Sequence, residues 1–549
     1  MDHKSPNFPS IFNDVIGPVM RGPSSSHCAA SVRIGRLARD LMGGSIFDVT
    51  IEFDPDGSLA TTHESQGSDM GLFGGLLGWD ATDERLPSSA QAIRDAGIRV
   101  RFRITPYGAA HPNTYKLTMH GGDGRHTMAA ISTGGGMIEV IEIDGAAVSF
   151  AGDNYLTLIF ANDQLEEIRE FIASQFTADR VDIYRGKKGG FVAVSAREFP
   201  NQDLFFHLSM IFPINEVRKL APVMPVLSRK DLQVPFITCA EMLEYNASRD
   251  LPLWELARHY ESARGGISQE AVFDKMQSIV RIMQSSIQEG LAGTDYADRI
   301  LGCQSRGFLE KMEQRRLLDG GMLNSMILYV SAIMEVKSSM GVIVAAPTAG
   351  SCGALPGAVL AASQSMTVSE DDLVKAMLAA GMIGIFIAAH ATFAAEVGGC
   401  QAECGSGSGM AAAALVTLAG GSLTEALNAS SLALQSTLGM ICDPIANRVE
   451  APCLSRNVLA ATNALACANM ALAGYDPLIP LDEVIDTMDR VGKAMPCEVR
   501  CTALGGLSIT PTSKAIEQRL SDAKTCGAEG CGCGKTHRAK KEHTEIERG

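Results

Sequence analysis

Residues 373–395 read LVKAMLAAGMIGIFIAAHATFAA, and the placement of this stretch decides what kind of protein the chain makes. No Asp, Glu, Lys or Arg falls between Lys375 and Glu396, and residues 382–389 are strongly apolar. A run of roughly 20 such residues is long enough to cross a bilayer as a helix. Ala and Gly dominate it, however, His390 lies inside it, and neither flank is basic. The reading is a buried core helix. With no apolar leader in MDHKSPNFPS at the start, a soluble cytoplasmic protein without a membrane partner is expected.

Around this helix, from about residue 232 onward, Ala, Met, Leu and Gly recur at helical spacing over 241–260, 269–291, 322–336 and 458–473. Before it, residues 31–41 carry a helical stripe (Val32, Ile34, Leu37, Leu41) stopped at Gly43-Gly44. Residues 47–53, 98–104, 115–119 and 137–143 alternate as half-buried strands. Residues 155–194 run strand, helix, strand, strand. The expected fold is therefore multidomain. An α+β domain spans 1–150, a short β-α-β-β module 151–200 and a linker 201–231. A large, mostly α-helical domain follows over 232–514, and a polar tail over 515–549.

The whole chain has 549 residues, 46% of them hydrophobic, enough to bury a large interior. Lys and Arg number 47 against 62 Asp and Glu, a net charge of −15, which repels phosphate backbones and argues against nucleic acid as a partner. Three cysteines stand in Gly- and Pro-marked contexts: Cys400 in VGGCQAECGSGSG, Cys442 in MICDPIANRVEAP and Cys453 in EAPCLSRN. Their spacing is unlike that of zinc ribbons or small ferredoxins, so buried inert thiols and metal ligands both remain open on spacing alone.

The order of longer motifs resembles the iron–sulfur-dependent L-serine dehydratases (L-serine ammonia-lyases) in the form with fused β and α portions. GPSSSHC at 22–28, HPN at 111–113 and STGGGMIEV at 132–140 match the N-terminal portion. APTAGSCG at 346–353, GCQAE at 399–403 and the CDP and PC steps at Cys442 and Cys453 match the helical one. The resemblance implies a [4Fe–4S] cluster held by Cys400, Cys442 and Cys453, without pyridoxal phosphate. The substrate it implies is a small amino acid, L-serine, with L-cysteine or L-threonine as alternatives in the same chemistry. It also implies an ACT-type regulatory role for the 151–200 module, and a homodimer is expected from the apolar helical half. A non-catalytic iron–sulfur sensor is the reading from a different class.

Carried over residue by residue, the resemblance points to Ser24, Ser25, Ser26, Asn113 and Thr348 as substrate-binding groups. His27, His111 and Gln66 are its candidates for catalysis. Ser26 could equally be a helix N-cap and His111 a turn residue. Gln66, in SQGSD at 65–69, stands where the family carries a histidine; it cannot titrate, so the proton acceptor is left open, with His63 nearby. Cys352 and Cys404 read as packing residues, and Cys501 occupies a position that is often acidic. Cys526, Cys531 and Cys533 in the tail could cap a cluster or belong to an unstructured end.

Overall fold

The alternating segments of the first half build two sheets, each needing an apolar cover. The computed structural model describes residues 8–526 apart from 187–188, 231 and 367. After a two-residue strand β1 (Val19–Met20) comes the first sheet. It is made of β2 (Asp48–Phe53), β3 (Arg99–Ile104), β4 (Thr114–Gly121), β5 (Gly124–Gly134), β6 (Met137–Ile143) and β7 (Ala146–Phe150), in the order β3-β2-β4-β5-β6-β7. Only β2 and β3 run parallel, with Ile51 opposite Phe102 on one side and Leu117 on the other. Helices α1 (Ala30–Leu41) and α2 (Ser68–Leu76) cover it, burying Ile34, Leu37, Leu41, Leu72 and Leu76 against Val49, Ile51 and Leu117.

A second sheet, in the order β11-β8-β10-β9, contains β8 (Tyr155–Ala161), β9 (Arg180–Gly186), β10 (Gly189–Ala196) and β11 (Glu216–Leu220). Its central strands, β8 and β10, are buried on both faces. Leu156, Leu158, Phe191 and Ala193 face the first core, while Ile159, Val192 and Val194 pack under α3 (Leu165–Gln175) and α4 (Gln202–Ile211). The unit is a complete β-α-β-β-α-β arrangement. This corrects the expected module end at 200 and the linker at 201–231. Asn201 caps α4 by accepting from Leu204 N, and β11 pairs with β8 along residues 216–220. The signal was missed because β11, EVRKL, is short and charged, as suits a sheet edge.

The remaining chain is helical. It comprises α5 (Leu253–Gly265), α6 (Gln269–Ala292), α7 (Met322–Ser338), a two-residue strand β12 (Ile343–Val344), α8 (Ala354–Met366), α9 (Glu370–His390), α10 (Ser406–Leu418), α11 (Leu423–Gln435), α12 (Cys453–Leu472), α13 (Leu481–Ala494) and α14 (Pro511–Cys526). The periodic stretch at 241–260 is broken into Cys239–Asn246 and α5, because Pro252 caps a new helix. By length and composition α9 could span a membrane. Here 78% of its most apolar window is buried, against α5, α6 and α10.

The N-terminal segment does not stay with the first sheet, which corrects the expected boundary of the α+β domain. Residues 8–20 thread into the helical core, where Ile11 and Val15 lie on Gly381 and Gly384 of α9. A Cβ at Gly384 would fall 2.0 Å from Val15 Cγ1, so only glycine admits the crossing. β1 then pairs antiparallel with β12, Val19 opposite Val344.

A charged clasp joins the two sheets. His126 on β5 donates to Asp144 through Nδ1 (2.6 Å), and its Nε2 lies 2.6 Å from Glu216 Oε1 on β11. Burial opposes the charge on His126, but the two carboxylates outweigh it and raise its pKa to about 9. The fold thus holds a proton that the unfolded chain releases near pH 6.5. The clasp's contribution is complete below that pH and is lost as pH rises through about 9. We expect the melting temperature to fall by about 2 °C or more between pH 7 and 10 beyond the fall shown by H126Q. Equal pH slopes in thermal melts of the two proteins would refute the clasp.

Candidate functional site

Two halves of the chain meet at a buried seam, and most of the motif residues lie on it. From the N-terminal half, the turn Ser25–Ala29 leads straight into α1, with Ser24 just before it. Ser24 does not cap the turn through its side chain. Its hydroxyl lies 3.1 Å from His27 Nδ1, while His27 Nε2 lies 2.9 Å from Thr62 Oγ1. Thr62 Oγ1 gives its own proton to Ser58 O (2.7 Å), so Nε2 carries the imidazole hydrogen and Nδ1 accepts from Ser24. Burial drives the His27 pKa down to about 3, with His63 adding repulsion. His27 is therefore neutral, and its 3.9 Å approach to Glu396 Oε1 is a contact rather than an ion pair. Ser25 Oγ crosses the seam to accept from Ala349 N at 3.2 Å. Ser26 is buried inside the turn and is not its cap.

Asn113 is also buried, its Oδ1 accepting from Ser58 Oγ. Its amide faces Glu396, yet Asn113 Nδ2 and Glu396 Oε2 each lack a partner of hydrogen-bond geometry. Ser132 Oγ, on the strand beside Asn113, is orphaned in the same way. Buried polar atoms are nearly always paired, and these three are among the exceptions in the described residues. Burial raises the Glu396 pKa.

Not every expected residue joins this group. His111 is half-buried, and its Nδ1 accepts from Asn113 N (3.1 Å), serving its own turn. Gln66 is buried and donates to Asn447 Oδ1 (3.2 Å), tying the first half to the loop between Cys442 and Cys453. His63 lies close enough to His27 to act on it electrostatically. Its Nδ1 bonds Asp69 at 2.7 Å and its ring stacks on Phe102.

From the helical half, Thr348 accepts from Ser351 N and donates to Glu403 Oε1 at 2.6 Å. Gly350 leaves room for that carboxyl, since a Cβ there would lie 2.8 Å from Glu403 Oε1. Burial lifts the Glu403 pKa to about 8, and Cys400 adds to the lift. Ligand atoms of Cys400, Glu403 and Cys442 all lie within 4.8 Å of one another. Cys453 opens α12 and interacts electrostatically with Cys400. Donation from the Cys404 and Cys442 thiols holds Cys400 well below the usual thiol range, and the Arg456 guanidinium, 3.3 Å away, reinforces it. Soft, buried thiols gathered around a guanidinium fit a thiolate-bound metal centre.

Asn457 and the role of Gln401 escaped the sequence reading. Asn457 is fully buried on α12. It accepts from Gly353 N and Ala354 N (3.1 and 3.0 Å) and donates to Gly350 O and Cys453 O (both 2.8 Å). Its spacing of four from Cys453 puts both on one helix face, a signal that was available. Lys337, also fully buried, donates to Val449 O. Gln401 is a brace: its Nε2 donates to Met488 O (2.8 Å) and its Oε1 accepts from Gly439 N (2.9 Å). Of the tail cysteines, Cys531 and Cys533 lie outside the described residues, and Cys526 is the last residue of α14.

The family model described as "Serine dehydratase alpha chain" matches residues 248–508. The "Probable L-serine dehydratase, alpha chain" of Bacillus subtilis is 34% identical over 52% of this chain and 95% of its own length. The chain belongs to the serine dehydratase family. The beta chain of the same name from Bacillus subtilis is 40% identical over 29% of this chain and 71% of its own. "L-serine dehydratase 1" of Escherichia coli aligns over 89% of this chain and 96% of its own at 28% identity. The chain thus carries, in one polypeptide, segments that match both the α and the β chains of its relatives.

Removing the Asn457 carboxamide strands the Gly353 and Ala354 N–H groups and takes a donor from the Gly350 carbonyl where water is excluded. We expect N457A to lose on the order of 2–4 kcal/mol of stability in urea denaturation. A loss under about 0.5 kcal/mol would show that the network does not support the site.

Proposed function

We propose that the chain is an L-serine ammonia-lyase that converts L-serine to pyruvate and ammonia, with Cys400, Cys442 and Cys453 holding a [4Fe–4S] cluster. One observation carries this reading: Asn113 Nδ2 and Glu396 Oε2, both buried and unpartnered, face each other between the Ser/His turn and the thiols. A small zwitterion offers the donor and acceptor that such a place lacks. Such a cluster, when bound, supplies a Lewis-acidic iron for the departing hydroxyl.

The chain's own groups do the rest. The Ser24, Ser25 and Ser26 turn, with Thr348, lines the seam where the substrate carboxylate is held. His27, neutral and bonded at both nitrogens, fixes that turn. Gln66 and His111 position the loops they bind. Glu396 takes the Cα proton at its free oxygen, a role that burial favours by making the carboxylate more basic. The resulting 2-aminoacrylate tautomerises and hydrolyses in water. We further read the β8–β11 unit as an ACT-like regulatory module, on the basis of its strand order.

The test is an anaerobic panel of L-serine, L-threonine and L-cysteine on the iron-loaded chain. Pyruvate from L-serine, abolished together with cluster absorbance in C400S, C442S and C453S, is the expected result. A loaded chain inert to all three, or a variant with full iron and rate, would overturn the assignment. E396Q should keep iron and absorbance while turnover drops about 10²-fold or more. Retention of more than a tenth of the rate would remove Glu396 as the base.

A further inference from the structure

Away from the thiols, a cavity of about 610 Å³ opens where the two halves and the segment joining them meet. Its walls are α1, the thread at residues 12–19, residues 222–225 after β11, and one face of α6. On α6 that face is Lys275, Ser278, Ile279 and Ile282, which recur at helical spacings of three and four. Ile16, Val32, Met224 and Ile279, all buried, give the cavity an apolar lining. An apolar pocket of this size with a few charged groups is the usual form of a small-molecule site.

The charged groups on the lining are mostly cationic. Arg33 is only 6% exposed, and burial lowers its pKa no further than about 10, so it stays charged near neutrality. Its Nη1 donates to Gly136 O (2.6 Å), yet it forms no ion pair among the described residues, and Asp14 acts on it only through space. A buried cation without a paired anion is costly, and a guanidinium is shaped to take a carboxylate through two parallel hydrogen bonds. Lys275, half-buried on α6, likewise forms no ion pair among the described residues. Arg36 is already answered by Asp80 at the rim. Two positive charges are therefore left over beside an apolar lining.

We infer that this cavity binds a small monocarboxylate with an aliphatic or aromatic body. The carboxylate pairs with Arg33 and Lys275, and the body lies on Ile16, Val32, Met224 and Ile279. Because the walls come from both halves and from their connection, an occupant touches all three at once. The cavity is separate from the Ser/His turn and the thiols, so the inference does not depend on the reaction proposed above.

The test titrates the full chain by calorimetry with 4-phenylbutanoate, with 4-phenylbutanamide, which has the body without the charge, and with acetate, which has the charge without the body. The acid should bind with a Kd on the order of 1 mM or tighter, and the amide and acetate about 10-fold more weakly. The acid should also raise the melting temperature. K275Q should weaken its binding about 3-fold and R33Q about 10-fold or more. S278W, which sets a bulky side chain into the cavity from the surface of α6, should abolish it. Circular dichroism melts establish that each variant folds; should R33Q lose its fold with its bond to Gly136, K275Q and S278W decide. No binding of the acid, equal binding of the amide or of acetate, or binding that K275Q or S278W leaves unchanged overturns the inference.

Discussion

The carboxylate of Glu261 on α5 receives the Ser10 hydroxyl and the Ile11 N–H (2.8 Å), fastening the N-terminal thread inside the helical half. Around it, Tyr260 donates to Pro9 O (2.9 Å), Arg264 to Phe8 O (3.1 Å), and Asn13 exchanges two hydrogen bonds with Val226. Burial raises the Glu261 pKa, and the two donated hydrogen bonds oppose that rise. The thread places β1 against β12, and only a few residues separate β1 from the Ser24–His27 turn and β12 from Thr348. The position of each motif at the seam is thus inherited from contacts made more than ten residues away.

Electrostatics explain why carboxyls and thiols can share this seam. Several ionised groups packed together without water would be prohibitively costly. The chain avoids this by keeping His27 neutral and by raising Glu403 to about 8, so that this carboxyl stays largely protonated near neutrality. Negative charge concentrates instead on Cys400, where Arg456 answers it. Arg456 is itself fixed by Asp443, whose other oxygen is held by Leu507 N. The charge that favours a thiolate is therefore set by the same loop that carries Cys442.

Periodicity made the long helices and most strands legible, and the burial of α9 follows from its Ala and Gly content as much as from its apolar run. What was hidden depends on distance in sequence. β11 carries too few apolar residues to announce itself, and its role exists only because β8 lies beside it. The thread at residues 8–20 looks like a loop until Gly381 and Gly384 supply its bed. At the site, the cysteines and the Ser and Asn motifs could be singled out as residues. Glu396 could not, because it reads as the end of an apolar stretch. Its meaning comes from Asn113 and His27, whose positions in sequence lie more than 280 residues away. Gln66, a candidate for catalysis by its place in the motif, donates its amide to Asn447 of a distant loop, a contact that sequence alone does not announce.

A seam shared by two halves also constrains how the polypeptide can be built. The Ser25 contact to Ala349 and the Gln66 contact to Asn447 each bind a residue of one half to a residue of the other, so neither half alone presents a finished site. Carrying both on one chain makes their meeting intramolecular, with an effective concentration on the order of mM for short flexible connections. The connection here is stiffer than that. The β8–β11 unit spans it, packs one sheet face on the first core, and is clasped to the first sheet by His126 between Asp144 and Glu216. A rigid spacer of this kind narrows the range of approach between the halves. Past β11, Val226 exchanges two hydrogen bonds with Asn13 of the thread, so the unit that is clasped to the first sheet is also tied to the segment that enters the helical half.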